Sequence, residues 1–132
     1  MTEFKAKARI AVAGAGWWSQ GWHLPHLATH PDVVLAAIVE PAAAPRSSTG
    51  DDLPGPDALG EKYGCPTFAS VDALLASGLA LDGLLVATPH ATHAALGRAA
   101  LEARRRFPSW IRIFINSPDH QFGPTSLISS WF

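Results

Sequence analysis

Apolar residues in the first hundred positions fall in short dense runs separated by glycine, proline and polar punctuation. Ala8 to Ala13 (ARIAVA) ends at glycines, which predicts a strand buried on both faces. Gly14 to Gly16 turn the chain, and Ser19 to Thr29 predicts a helix with Trp18, Trp22 and Leu27 available to pack. Pro25 removes the bond to Gly21 and predicts a kink there, and His30-Pro31-Asp32 ends the helix. Val33 to Val39 (VVLAAIV) is a second buried strand closed by Glu40-Pro41. Pro41 to Pro56, rich in Pro, Ala, Ser, Gly and Asp, predicts a mobile loop without regular structure. A short helix over Asp57 to Tyr63, stopped by Gly64, precedes a brief strand at Cys65 to Phe68. Ser70 is placed to cap a helix from Val71 to Ala76 that Ser77-Gly78 stop, with Asp72 at the positive end of its dipole. Leu81 to Ala87 is the next buried strand, and Thr88-Pro89 leads into a helix from Ala91 to Ala103. Beyond it, only Trp110 to Ile115 alternates as a strand would. Strands alternating with helices predict an α/β doubly wound parallel sheet.

Composition narrows the function classes. A chain of 132 residues with 48% apolar and 16% charged side chains predicts one compact domain after a flexible start at residues 1–7. Its net charge of −1 lacks the basic excess that nucleic-acid binding needs. The single cysteine, Cys65, allows no internal bridge and belongs to no paired spacing of a zinc site. The first nine residues are polar and no run of 18 apolar residues occurs, which predicts a cytoplasmic protein with no membrane contact. Charge is uneven: up to Ala103 there are 6 basic and 10 acidic side chains, and afterwards Arg104, Arg105, Arg106 and Arg112 stand against Asp119 alone.

The chemistry concentrates in Gly14-Ala15-Gly16-Trp17-Trp18-Ser19, a G-x-G-x-x-S between the first strand and the first helix. Gly14 permits a tight turn, and Gly16 lets the backbone approach a pyrophosphate whose charge meets free N–H groups at the helix start. The third position normally takes Gly or Ala because helix and strand pack closely there; Ser19 departs from that pattern but is small enough to be tolerated. Glu40, 24 residues after Gly16 at the end of the next strand, is placed to accept hydrogen bonds from the adenosine ribose hydroxyls. A carboxylate there repels a 2′-phosphate and favours NAD over NADP, although Arg46 is near enough in sequence to serve that phosphate instead. Thr88, Pro89 and the two histidines His90 and His93 follow the fourth strand, at the carboxyl edge where open parallel sheets bind ligands. His23, His26 and His30 lack an acidic partner, so no metal site is assigned.

Taken in order, RIAVAGAGWWSQGWHLPHLATHP, VVLAAIVEP, EKYGCPTFASVDALLAS and LDGLLVATPHATHAALGRAALEA resemble the N-terminal Rossmann domain of the glucose-fructose oxidoreductase, inositol dehydrogenase and MocA-like family. The resemblance spans Arg9 to Ala103 and implies a dinucleotide-binding domain over residues 8–103. It further implies that Gly14, Gly16 and the Trp17, Trp18, Ser19 turn hold the pyrophosphate. Glu40 would face the adenosine ribose, with Thr88, Pro89 and His93 on the nicotinamide side. Members of that family transfer hydride between the nicotinamide ring and a sugar, polyol or similar hydroxyl-bearing substrate.

The resemblance stops where the charge changes. The family continues with a Glu-Lys-Pro motif, whose lysine acts near the reacting hydroxyl, and a second α/β domain. Here RRRFPSWIRIFINSPDHQFGPTSLISSWF follows, and no lysine occurs after Lys62. No catalytic residue is therefore assigned, and residues 104–132 are expected to be a divergent tail produced by a shifted frame, a retained intron or a gene-model error. Two alternatives stand beside a catalytically incomplete oxidoreductase domain. One is a non-catalytic module that binds a dinucleotide or a partner. The other is a non-functional truncated product that self-associates through an uncovered sheet edge.

Overall fold

The computed structural model describes residues 6–45 and 52–87, together with two strands at 112–115 and 128–129. Strand β1 (Ala8–Ala13) is followed by a π-helical turn (Ser19–His23) that runs into α1 (Leu24–Thr29). Then come β2 (Val33–Val39), α2 (Pro56–Tyr63), β3 (Thr67–Phe68), α3 (Val71–Ala76), β4 (Gly83–Val86), β5 (Arg112–Ile115) and β6 (Ile128–Ser129). The strands line up as β3-β2-β1-β4-β5-β6. All neighbours pair parallel except β5 and β6, which pair antiparallel. This is the Rossmann order, in which the sequence of strands reverses between β1 and β4 while the strands themselves stay parallel. Of the helix expected over 91–103, nothing lies within the described residues.

Helices cover both faces of the sheet. On one side, Ala11, Ala13, Val39, Leu84 and Val86 pack with Val71 and Leu74 of α3. On the other, Val12, Leu35, Ile38 and Leu85 pack with Leu24 of α1 and Leu59 of α2. The dense apolar runs have this origin: a strand sandwiched between two helical layers has no polar face to show. The Ser70 hydroxyl accepts from the Ala73 N–H at 3.0 Å and starts α3 where a capping serine should. Pro56 opens α2 at its first position, one residue before the expected start, because a missing N–H costs nothing there. Gly64, at φ +65°, closes α2 in the left-handed conformation. Strand β3 is only Thr67–Phe68, two residues shorter at its start than the sequence suggests.

Strand β2 carries one irregularity. Along β1 and β2 the pairing steps from Ile10 opposite Leu35 to Ala11 opposite Ala37, so Ala36 is an extra residue in β2. Ala36 and Ala37 consequently both belong to the α3 side of the core, and the alternation resumes in the opposite phase. Ile38 then faces α1 and α2, and Val39 faces α3. The next residue, Glu40, is thereby due on the side of α1.

Candidate functional site

The site is built at the carboxyl end of β1. Gly14 is buried with φ +103°, a conformation that strains any residue carrying a Cβ, and its N–H donates to the Val39 carbonyl at 2.8 Å. Ala15 is wholly buried against the α1 side of the core. Gly16 is half-buried and has no positive φ, so its contribution is the missing side chain rather than an unusual backbone. The chain is helical from Trp17, and the bond from Gln20 N–H to the Gly16 carbonyl, at 2.9 Å, closes the first turn. Amides ahead of Gln20 precede any intrahelical acceptor, which makes this elbow the positive end of the helix and a seat for an anion.

Glu40 stands at that elbow. Its backbone N–H donates to the Phe68 carbonyl at 2.9 Å, and its Oε2 accepts from the Ala15 N–H at 3.1 Å. The extra residue in β2 sets the phase that turns this carboxylate toward α1. Half-buried Glu40 and the glycine turn, whose Gly16 lies 24 residues earlier in sequence, thus meet at the carboxyl edge of the sheet. Both features fit a dinucleotide: amides without an acceptor among the described residues for the diphosphate, and an acid beside them for sugar hydroxyls.

Ser19, at the third motif position, is wholly buried, as close packing of helix on sheet demands. Neither its Oγ nor the buried Trp18 Nε1 meets a partner among the described residues. The proline further along does not simply kink the helix. Leu24 N–H reaches back five residues to the Ser19 carbonyl, and the wider π turn over Ser19–His23 absorbs the bond that Pro25 cannot make. On this turn Trp18 stacks with Trp22 at 6.0 Å and meets Trp17 edge-on at 5.4 Å. Trp17 and Trp22 stay exposed, at 37% and 51%, so these rings line the rim of the helix start rather than the core.

The histidines part company. His23 is buried, whereas His26 is exposed, and among the described residues no three His, Cys, Asp or Glu side chains come together as a metal group. Burial, aided by the charge of His26, holds His23 below its ordinary pKa of 6.5. The stability that neutral His23 contributes is therefore full above 6.5 and is lost as pH falls through its lower native pKa. Urea unfolding at pH 7.5 and 5.5 should show wild type losing stability on acidification, by at most about 1.4 kcal/mol per pH unit from this group. His23→Asn should flatten that part of the slope, and an unchanged slope would refute it. Burial also pushes the half-buried Cys65 thiol up, away from the reactive thiolate.

Of the residues that sequence reasoning assigned to the site, Gly14, Gly16, Trp17, Trp18, Ser19 and Glu40 come together at the elbow. Thr88, Pro89 and His93 lie outside the described residues, as does Arg46. One residue was missed. Gln20 Nε2 donates to the Ala15 carbonyl at 2.8 Å and to the Pro54 carbonyl at 3.0 Å, tying the elbow to the segment after β2. No spacing rule marks it; the only signal was a polar side chain with two donors one position past the motif.

Residues 8–107 match the oxidoreductase family with an NAD-binding Rossmann fold, GFO_IDH_MocA. The chain belongs to this family. Among solved structures, a candidate dehydrogenase from Bordetella bronchiseptica RB50 is similar with a TM-score of 0.63 at 22% identity, over 85% of this chain and 25% of that one. A candidate NADPH-dependent oxidoreductase from Desulfitobacterium hafniense DCB-2 gives 0.60 at 16% identity, over 85% of this chain and 27% of that one. At these identities the likeness speaks for the fold, and the chain spans about a quarter of the length of both structures. No curated protein matches it. As a GFO_IDH_MocA member it carries that family's dinucleotide-binding domain, and no described helix is long and apolar enough to cross a membrane.

Proposed function

We propose that this chain supplies the cofactor-holding part of a cytoplasmic oxidoreductase that moves hydride between a nicotinamide dinucleotide and a sugar, polyol or similar hydroxyl-bearing substrate, with NAD preferred to NADP. The observation that carries the reading is the meeting of Glu40 Oε2 with the Ala15 N–H, 3.1 Å apart, on an elbow whose helix-start amides meet no acceptor among the described residues. Amides of the Gly16 to Ser19 turn would hold the diphosphate, with Gly14 keeping the turn tight and Ser19 letting the helix sit close. Glu40 would accept from the adenosine ribose hydroxyls. Thr88, Pro89 and His93, after β4, would line the nicotinamide side. When bound, the dinucleotide gives or takes the hydride; the residues here orient it and exclude water from its diphosphate.

Turnover by this chain is not expected. Residues 104–132 hold no lysine, so the lysine that the family places near the reacting hydroxyl has no counterpart there. The same absence favours, as the second reading, a non-catalytic dinucleotide-binding module. Trp17, Trp18 and Trp22 beside the elbow provide the test. NADH should quench tryptophan emission saturably and reversibly, ADP-ribose should compete, and no polyol should be oxidised in the presence of NAD. Absence of saturable quenching would overturn the binding claim, whereas turnover of a polyol would overturn the incompleteness claim alone.

A further inference from the structure

Gln20 lies outside the glycine motif, yet its side chain makes the one described link between the elbow and the segment that precedes α2. A primary amide has two N–H donors on one nitrogen, and both are used here, on the Ala15 carbonyl at 2.8 Å and the Pro54 carbonyl at 3.0 Å. Both partners are backbone oxygens, which can only accept, so the nitrogen must face them and the orientation of the amide follows. Ala15 is also the residue whose N–H meets Glu40. One peptide neighbourhood is therefore gripped by the carboxylate on its N–H and by the Gln20 amide on its carbonyl.

The segment that Gln20 reaches is itself pinched. Gly55 packs so closely on the Ala43 carbonyl that a Cβ at Gly55 would lie 2.4 Å from that oxygen. Residues 43 and 55 thus touch back to back, and this stem springs from β2 immediately after Glu40. Among the described residues, Pro54 is therefore tied to the elbow through Gln20, and its neighbour Gly55 lies against Ala43, three residues beyond Glu40.

Resting on the dinucleotide reading, we propose that Gln20 is a positioning residue for the adenosine half of the cofactor: it clasps residues 52–55 against the elbow so that they wall the space beside Glu40. It touches neither the reacting atoms nor the hydride path. Its loss should weaken every ligand that carries the adenosine diphosphate portion, and by a similar factor.

The test uses the 132-residue chain with Gln20→Met, which keeps side-chain length and removes both donors, and Gly55→Ala, which pushes the stem apart without touching Gln20. NADH, ADP-ribose and ADP are titrated calorimetrically, with hydrogen exchange at 52–55 and the thermal midpoint measured on the same samples. Two neutral hydrogen bonds imply a loss of affinity of about tenfold in Gln20→Met for all three ligands. Faster exchange at 52–55 and only a small fall in the midpoint should accompany it, because one of these bonds is exposed and the other part-buried. Gly55→Ala should shift affinity in the same direction. Unchanged affinity in Gln20→Met, or a loss that merely tracks a lowered midpoint, would overturn the clasp while wild-type binding keeps the dinucleotide reading intact. Failure of the wild-type chain to bind any of the three would instead remove that reading and the clasp with it.

Discussion

Gly14→Val should abolish measurable dinucleotide binding and destabilise the domain together. The native φ of +103° lies where a β-branched side chain is a steric outlier, and Gly14 cannot relax elsewhere while its N–H is held by the Val39 carbonyl at 2.8 Å. Strain of this kind costs about 1–3 kcal/mol, a large share of the stability of so small a domain. If the chain relieves the strain by moving the turn, it withdraws the amides from the diphosphate. If it does not, it carries the strain undiminished. Gly14→Ala should show the same effects more mildly. Gly21→Ala is the matched control, since a Cβ there meets nothing within 4 Å. Isothermal titration with NADH and urea unfolding on the three variants decide the matter. Full affinity in Gly14→Val would show that the elbow does not need its glycine and that the diphosphate sits elsewhere.

Why that elbow was legible, and its surroundings less so, follows from the range of the forces involved. Strands β1 and β2 and helix α3 begin and end at the residues the sequence suggests. Their limits are set locally, by glycines after Ala13, by Glu40-Pro41 after Val39, and by the Ser70 hydroxyl on Ala73 N–H. The extra residue at Ala36 could not be seen in VVLAAIV, where every position is apolar and either phase buries equally well. It is decided by pairing with β1, and it decides which way Glu40 points. Gln20 is hidden for the same reason, because its second partner, Pro54, is 34 residues away and is brought near only when α2 docks on the sheet. The π turn was half visible: Pro25 announces a lost bond, but whether the helix bends or widens depends on the packing of Ser19 and Leu24, both wholly buried.

The phase of Glu40 leads to the second large effect, on cofactor choice. Glu40→Gln keeps the size of the side chain and an oxygen for the Ala15 N–H but removes the charge, so the elbow should keep its shape. Charge-assisted bonds to ribose hydroxyls exceed neutral ones by enough to cost about 1–2 kcal/mol, which lowers NADH affinity by about tenfold. The same substitution removes a negative charge from the place where a 2′-phosphate must sit, and NADPH affinity should rise by a comparable factor. The ratio of the two affinities should therefore move by about a hundredfold, a larger change than either affinity alone and one that cancels any general damage to the fold. Competitive titration of NADH and NADPH against wild type and Glu40→Gln measures it directly. A fall in both affinities by the same factor would mean that Glu40 only braces the Ala15 peptide. Stronger binding of NADPH than NADH by wild type would mean that the ribose lies beyond the reach of this carboxylate, and the preference for NAD would fall even though the elbow still bound the diphosphate.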